Sequence, residues 1–135
     1  MKIPPKAHVA VIDGKRFILL RNGSDAQHPD LANPQEPELD KTNKSQGKHR
    51  HSITTSQNAG NDLDEAAHVA AAAAWLNHAV LTQKIDDLVV VADARSLGEL
   101  RRHYHKELES RLVGEVAKSL TSRPVEEIQR AIEAA

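Results

Sequence analysis

The feature that most restricts the fold is an uninterrupted apolar run, Leu88-Val89-Val90-Val91-Ala92. A mostly β-branched run without polar alternation is typical of a strand buried on both faces, and such strands lie in parallel sheets covered by helices. Directly after it, Ser96-Leu97-Gly98-Glu99 matches a capping box and predicts a helix that runs to about Glu109. A buried strand followed by a helix is half of a βαβ unit, so the sequence predicts an α/β fold.

The segment after Glu109 has two interpretations. Apolar residues recur there every four positions, at Leu108, Leu112, Val116 and Leu120. This spacing is compatible with a continued helix, whereas Gly114 weakens the helix and favours a strand over 112–120. Pro124 is typical of a first helical turn and predicts the start of a last helix.

The N-terminal part predicts a β-hairpin. Residues 7–12 and 16–21 are rich in β-forming residues and flank Asp13-Gly14, where Gly14 would supply the positive φ of a tight turn. Further on, Asp62 and Glu65 match a capping box, which predicts a helix from there to about residue 83. Its apolar stripe consists of Val69, Ala73, Leu76 and Val80.

Residues 24–61 are predicted to form a mobile charged loop. Residues 24–40 contain five acidic residues and no Lys or Arg, whereas residues 41–51 contain four cations and no acid. Bulky apolar residues are too rare in this stretch to offset the entropy of ordering it. We allow for a short edge strand at 35–41, and we expect amides 41–61 to exchange rapidly with solvent.

The composition points to one soluble domain over residues 1–135. The net charge is −1, which gives no global attraction to nucleic acid or anionic lipid. The absence of cysteine excludes disulfides, thiolate metal ligands and cysteine nucleophiles. Neither a signal peptide nor a membrane span is visible, so a cytoplasmic location without a membrane partner is expected. The composition indicates no particular oligomeric state.

Motifs for catalysis are missing from the sequence. It contains no glycine-rich phosphate loop and no serine nucleophile elbow. The paired histidines at 103 and 105 would point to different faces of a helix, and those at 49 and 51 lie among cations, so neither pair is placed to chelate a metal. The sequence therefore predicts no catalytic residue, no metal site and no cofactor.

Two groups of cations are candidates for contact with RNA or with another partner. One lies in the charged loop and the other in the predicted second helix: Lys41, Lys44, Lys48, Arg50, Arg101, Arg102 and Lys106. Phosphate contacts by Lys and Arg would give salt-sensitive binding, although a solvated helix face has the same composition. Trp75 lies off the apolar stripe, and it is either a core residue or a partner contact.

The C-terminal half resembles a known bacterial family. The series comprises Asp87 to Ala92, Leu97-Gly98-Glu99-Leu100-Arg101, His105-Lys106, Val113-Gly114-Glu115, Ser119-Leu120-Thr121 and Pro124 to Ile128. Val9 to Gly14, Phe17 and Pro29-Asp30-Leu31 agree as well. This series resembles the host attachment protein family, described as required for attachment to host cells. That family is similar to the central domain of archaeal and eukaryotic peptide-release factors.

The resemblance implies a ribonuclease-H-like mixed sheet with helices packed on it. It implies an N-terminal hairpin, a long loop, and then alternating helices and strands, with a strand at about 113–120. Release factors carry Gly-Gly-Gln in that loop, whereas this chain has Ser56-Gln57 without adjacent glycines. Family members often have two prolines after the valine-rich strand, where this chain has Asp93-Ala94.

Three functional hypotheses follow. The first is a non-enzymatic protein of the host-attachment family that acts indirectly in attachment to host cells. The second is an RNA- or ribosome-binding factor related to translation, which uses the two basic groups. The third is a metal-dependent nuclease, since Asp13 and Asp93 follow neighbouring strands; this chemistry needs further carboxylates around metal ions.

Overall fold

The computed structural model describes residues 1–39 and 57–135, with side chains in the second range from residue 63 onward. The described elements are, in chain order, β1 (His8–Ile12), β2 (Phe17–Asn22), β3 (Leu31–Gln35), α1 (Gln57–Leu81), β4 (Leu88–Ala92), α2 (Ala94–Arg101), α3 (Lys106–Arg111), β5 (Leu112–Ala117) and α4 (Val125–Ala134).

The strands form one mixed sheet in the order β3-β2-β1-β4-β5. β2 pairs antiparallel with β1 and β3, while β4 pairs parallel with β1 and β5. Every residue of β4 is buried, as the apolar run predicts. The expected α/β class with a mixed sheet and packed helices is confirmed.

Helices cover the two faces of the sheet unequally. On one face, α1, α2 and α3 pack on β1 and β4 through a core in which the stripe Val69, Ala73, Leu76 and Val80 is buried, as predicted. On the other face, Ile128 and Ile132 of α4 pack with Ile3 against the opposite sides of the same strands. Among the described residues, no helix is long and apolar enough to cross a membrane.

The predicted hairpin is present, but its turn is built differently from the expectation. Ile12 pairs with Phe17, and no glycine among the described residues has a positive φ. The Asp13 carboxylate closes the turn instead, because its Oδ1 accepts the backbone N–H groups of Lys15 and Arg16 at 2.7 and 2.6 Å. Carboxylates commonly stabilise turns in this way.

Three predicted helix boundaries are wrong. α1 begins at Gln57, before the Asp62 capping box. The N-cap of α2 is Asp93, not Ser96, because the Asp93 carboxylate accepts the Ser96 N–H at 3.1 Å. The helix expected to reach Glu109 is split into α2 and α3. The Asn77 side chain holds the intervening turn by donating to the His103 carbonyl at 2.7 Å and by accepting the N–H of residue 105 at 2.9 Å.

The segment after α3 is a strand. Of the two interpretations of 112–120, the helix is wrong, and β5 occupies Leu112–Ala117. β5 pairs with β4 from Leu88↔Leu112 to Ala92↔Ala117, which completes the βαβ unit.

The edge strand β3 lies earlier than expected, at Leu31–Gln35, inside the stretch predicted to be mobile. Two side-chain amides order this region. Asn22 Oδ1 accepts the N–H of Asp30 at 2.9 Å, and Gln129 of α4 accepts the N–H of Leu31 and donates to the Pro29 carbonyl. Residues 40–56, which include most of the segment expected to exchange rapidly, lie outside the described residues.

Replacing Gly14 by alanine is expected to destabilise the protein by about 1–3 kcal/mol, the usual cost of overpacking. A Cβ at this position would lie 2.7 Å from Cγ and 2.8 Å from Cβ of Glu65, and the latter atom cannot move without its helix. The measurement is urea unfolding of Gly14→Ala against the wild type. Gly98→Ala is the matched control, because its Cβ would meet nothing within 4 Å and alanine should stabilise α2 by about 0.5–1 kcal/mol. Equal stability of the two variants would contradict this packing argument.

Candidate functional site

A cleft lies where β1 and β4 end. The two strands are parallel and in register from His8↔Leu88 to Ile12↔Ala92, so the residues that follow them, Asp13 and Asp93, lie at the same edge of the sheet. Ligands of open α/β sheets commonly bind outside the carboxyl ends of strands. The cleft has a volume of about 330 Å³ and is lined by Asp13, Gly14, Lys15, Glu65, Ala66, Val69, Asp93, Arg95, Ser96 and Glu99.

Asp13 is held on both carboxylate oxygens. Oδ1 accepts the two backbone amides of the turn, and Oδ2 accepts the hydroxyl of Thr121. Burial raises the pKa of Asp13, but the hydrogen bonds from Thr121 and from the turn amides outweigh burial, so its pKa lies below the ordinary value. Asp13 is therefore a charged structural group that joins the hairpin to the segment before α4.

Asp93 and Ser96 form the other wall of the cleft. Asp93 connects β4 to α2 as the N-cap, with φ −61° and ψ 160°. Ser96, in the first turn of α2, is only 6% exposed. Its backbone N–H is bound by Asp93, whereas its hydroxyl has no hydrogen-bond partner within residues 1–39 and 63–135. This wall of the cleft thus contains a carboxylate that caps α2 and a hydroxyl that opens on the cleft without a hydrogen-bond partner among the described residues.

Glu65 of α1 faces Asp93 and Ser96 across the cleft. Its side chain lies against Gly14, where no larger residue fits, and it is 35% exposed. Arg95 NH1 is 3.9 Å from Glu65 Oε2, which is an ion pair without a hydrogen bond. Glu99 forms an ion pair with Arg102 at 3.6 Å, and its other carboxylate oxygen lies within hydrogen-bond distance, 3.4 Å, of His103 Nε2.

The nuclease hypothesis gains no support from this cleft. Asp13 and Asp93 do lie together with Glu65 and Glu99, which sequence reasoning did not identify as neighbours. However, no group of three or more His, Asp or Glu in the described part of the chain is arranged to hold a metal ion. Both oxygens of Asp13 already accept hydrogen bonds within the fold. The described residues therefore do not show the cluster of carboxylates that metal-dependent cleavage needs.

The cations predicted on the second helix lie around the turn between α2 and α3. Arg101 donates two hydrogen bonds to Glu115 of β5, at 3.2 and 3.0 Å, and the Tyr104 hydroxyl donates to the other oxygen of this carboxylate at 3.2 Å. Burial and the nearby Glu115 charge raise the pKa of Tyr104 far above its ordinary value, so it stays a neutral donor. Arg101 is thus one side of an exposed ion pair that links α2 to β5.

The other candidate contact residues differ in their surroundings. Arg102 pairs with Glu99, and Lys106 is exposed in the first turn of α3. Trp75 is half-buried against the core on the face of the sheet that α1, α2 and α3 cover. Its ring is edge-on to that of Phe17, at a centroid distance of 5.5 Å. Lys41, Lys44, Lys48 and Arg50 lie outside the described residues.

Sequence reasoning also missed two residues that contact Asp13 without lining the cleft themselves. Thr121 is 108 positions from Asp13, and nothing in the local sequence marks it as a partner. His68 is buried in α1, and its Nδ1 lies 2.9 Å from the Asp13 carbonyl oxygen, a contact that requires the hydrogen on Nδ1. Its position one helical turn after Glu65 could have placed it near the same wall.

Comparison with known families covers nearly the whole chain. The family model described as "Bacterial archaeo-eukaryotic release factor family 12" matches residues 6–132. This match agrees with the relationship to release factors that the motif series implied. None of the curated proteins matches the chain.

Replacing Thr121 by valine should lower the stability at pH 7 by about 1 kcal/mol, the net value of one hydrogen bond to a partly exposed carboxylate. Because the pKa of Asp13 is depressed in the folded state, its stabilisation is present above the ordinary value of 3.8 and is lost as the pH falls through the folded value. The difference between wild type and Thr121→Val should therefore shrink below about pH 4. Urea unfolding from pH 3 to 7 measures it. A constant difference over this range would show that Thr121 acts by packing alone.

Proposed function

Because the chain belongs to bacterial archaeo-eukaryotic release factor family 12, we propose that it is a release-factor-like protein that binds ribosomes without hydrolysing peptidyl-tRNA. The strand order β3-β2-β1-β4-β5, antiparallel on one side and parallel on the other, is compatible with the ribonuclease-H-like arrangement of the release-factor central domain. Family membership supports a translation-related role, and the particulars of the chain argue against catalysis.

The observation that carries the non-hydrolytic part of the proposal is the position of Gln57. In release factors the catalytic glutamine follows two glycines in a loop, and the glycines give the backbone freedom that the motif needs. Here Gln57 is preceded by Thr55-Ser56 and is the first residue of the 25-residue helix α1. A glutamine at the start of a long helix, with no flanking glycine pair, lacks the setting of that motif.

Ribosome binding is supported by the cations of residues 41–51. Lys41, Lys44, Lys48 and Arg50 stand in a segment without an acidic residue, in the same stretch in which release factors carry their tRNA-directed motif. The helix cations contribute less, because Arg101 and Arg102 are paired with Glu115 and Glu99. We therefore assign the main electrostatic contact with ribosomal RNA to residues 41–51.

The link to host cells, which the motif series suggests through the host attachment family, is proposed to be indirect. A cytoplasmic ribosome-binding protein would affect attachment through the synthesis of other proteins. Neutralising the cations of residues 41–51 in cells should then lower attachment to host cells in parallel with ribosome association. Attachment that stays normal while ribosome association is lost would separate the two activities.

Ribosome co-sedimentation should detect binding at about 50 mM salt, with strong weakening by about 200 mM, as expected of phosphate contacts. Replacing the four loop cations by glutamine should weaken binding about tenfold or more at low salt. The matched control removes four exposed cations elsewhere: Lys2, Lys84, Lys118 and Arg130. Loss of binding in both variants would indicate a general charge effect, and no association of the wild type at either salt would refute the proposal.

Peptidyl-tRNA hydrolysis should stay at the background rate in the presence of programmed ribosomes and this protein. Gln57→Ala should leave this rate unchanged, because the setting of the release-factor glutamine is absent. The measurement is release of labelled peptide, with an active release factor as the positive control. Release above background that falls on Gln57→Ala would mean that the protein is a hydrolytic factor.

A further inference from the structure

We propose that the cleft at the ends of β1 and β4 binds an alkylammonium or guanidinium group, held by the Glu65 carboxylate and the Ser96 hydroxyl. This site is separate from the cations of residues 41–51, and it does not depend on ribosome binding. Free polyamines carry such a group, as do Lys and Arg side chains of other proteins.

The cleft is open to solvent on one side and has room for a ligand of this size. Its volume of about 330 Å³ is many times the roughly 10–15 Å³ that a cavity needs to hold one water molecule. Val69 and Ala66 give it an apolar wall, which suits the methylene chain that carries an ammonium or guanidinium group.

The charges of the cleft favour a cation. Four carboxylates line it, against the two cationic side chains of Lys15 and Arg95, both of which are exposed. The carboxylates of Asp13 and Asp93 are hydrogen-bonded to the turn and to the start of α2, and Glu99 forms an ion pair with Arg102 and a contact with His103. Of the four carboxylates that line the cavity, that of Glu65 is the least engaged by other side chains. Its contact with Arg95, at 3.9 Å, is longer than a hydrogen bond.

Ser96 is the independent sign of a ligand. It is more than nine-tenths buried and lines the cleft, yet its hydroxyl makes no hydrogen bond within the described part of the chain. The Ser96 oxygen is not fully enclosed, since His8 Nδ1 is the enclosed side-chain atom without a partner in the described part of the chain. It therefore opens on the cleft, where water or a ligand can bind it. This oxygen can accept an N–H from a cation that is also bound by Glu65.

An anion is the competing ligand, because the N-terminus of α2 opens on the cleft and helix N-termini attract anions. The N-cap carboxylate of Asp93 already stands at that position, and Glu65 and Glu99 add repulsion. Phosphate is therefore expected to bind far more weakly than a cation of similar size.

The test is a titration of the ¹⁵N-labelled full chain, followed by amide chemical shifts. Spermidine and N-acetyl-argininamide represent the two sources of the cation, N-acetyl-citrullinamide is the uncharged analogue, and inorganic phosphate tests the anion. Both cations, or one of them, should shift the amides of Gly14, Ala66 and Ser96 with half-saturation at about 1–10 mM. The cation that does so identifies the source, while citrullinamide and phosphate should leave these amides unchanged.

Variants tie the binding to the two side chains. Glu65→Gln and Ser96→Ala should each raise the half-saturation concentration about threefold to fivefold, as expected for one partly exposed polar contact. Glu109→Gln removes an exposed carboxylate outside the cleft and should leave the titration unchanged. Amide spectra of the free variants establish that they are folded.

Three results would overturn the proposal. The first is the absence of cleft shifts with either cation up to about ten times the expected half-saturation. The second is a larger response to phosphate than to the cations. The third is an equal effect of Glu65→Gln and Glu109→Gln, which would indicate attraction to net charge without a site.

Discussion

The parallel pairing of β1 with β4 determines where the polar groups of this protein meet. Each of the two strands is buried almost completely, with apolar side chains on both faces. A shift of the register by one residue would turn every side chain to the opposite face, so the two helical layers fix the alignment His8↔Leu88 to Ile12↔Ala92. The residues that directly follow the two strands, Asp13 and Asp93, therefore lie at the same edge of the sheet, and both are acidic.

The side chains of Asp13 and Asp93 both stabilise the fold. Asp13 closes the β1–β2 turn and binds Thr121 just before α4, so one carboxylate connects the beginning of the chain to its end. Asp93 begins α2 immediately after β4. The three hydrogen bonds to Asp13 hold its carboxylate in one place and lower its pKa, which makes it a poor proton acceptor. Glu65 and Ser96 are the side chains of the cleft that remain available to bind a ligand.

The amino-acid pattern predicted the elements better than their ends. The strand at Leu88–Ala92, the β1–β2 hairpin and the stripe of α1 follow from period and composition, because local hydrophobicity decides them. The boundaries depend on contacts between distant residues. Asn77 of α1 fixes the turn that separates α2 from α3, and Gln129 of α4 orders the start of β3. Neither partner is visible from the neighbouring sequence.

The candidate site shows the same division. Asp13 and Asp93 could be placed at one edge from strand order alone, whereas Glu65, Ser96 and Thr121 join them only through helix packing and a contact across the whole chain. The relationship to release factors was accessible from the sequence, because it depends on short motifs in a fixed order. The departure at Gln57 was visible there too, and the structure adds that this residue begins a helix.

The irregular edge of the sheet has a consequence for self-association. β3 contains Pro34, which has no N–H to donate, and Asn33, whose φ of 54° bends the backbone. The pairing of β3 with β2 also shifts between Leu19 and Arg21, so the outer rim offers no continuous row of donors and acceptors. A strand from another chain therefore cannot pair with β3 along the whole length of β3. This irregularity prevents growth of the sheet by strand addition at that edge.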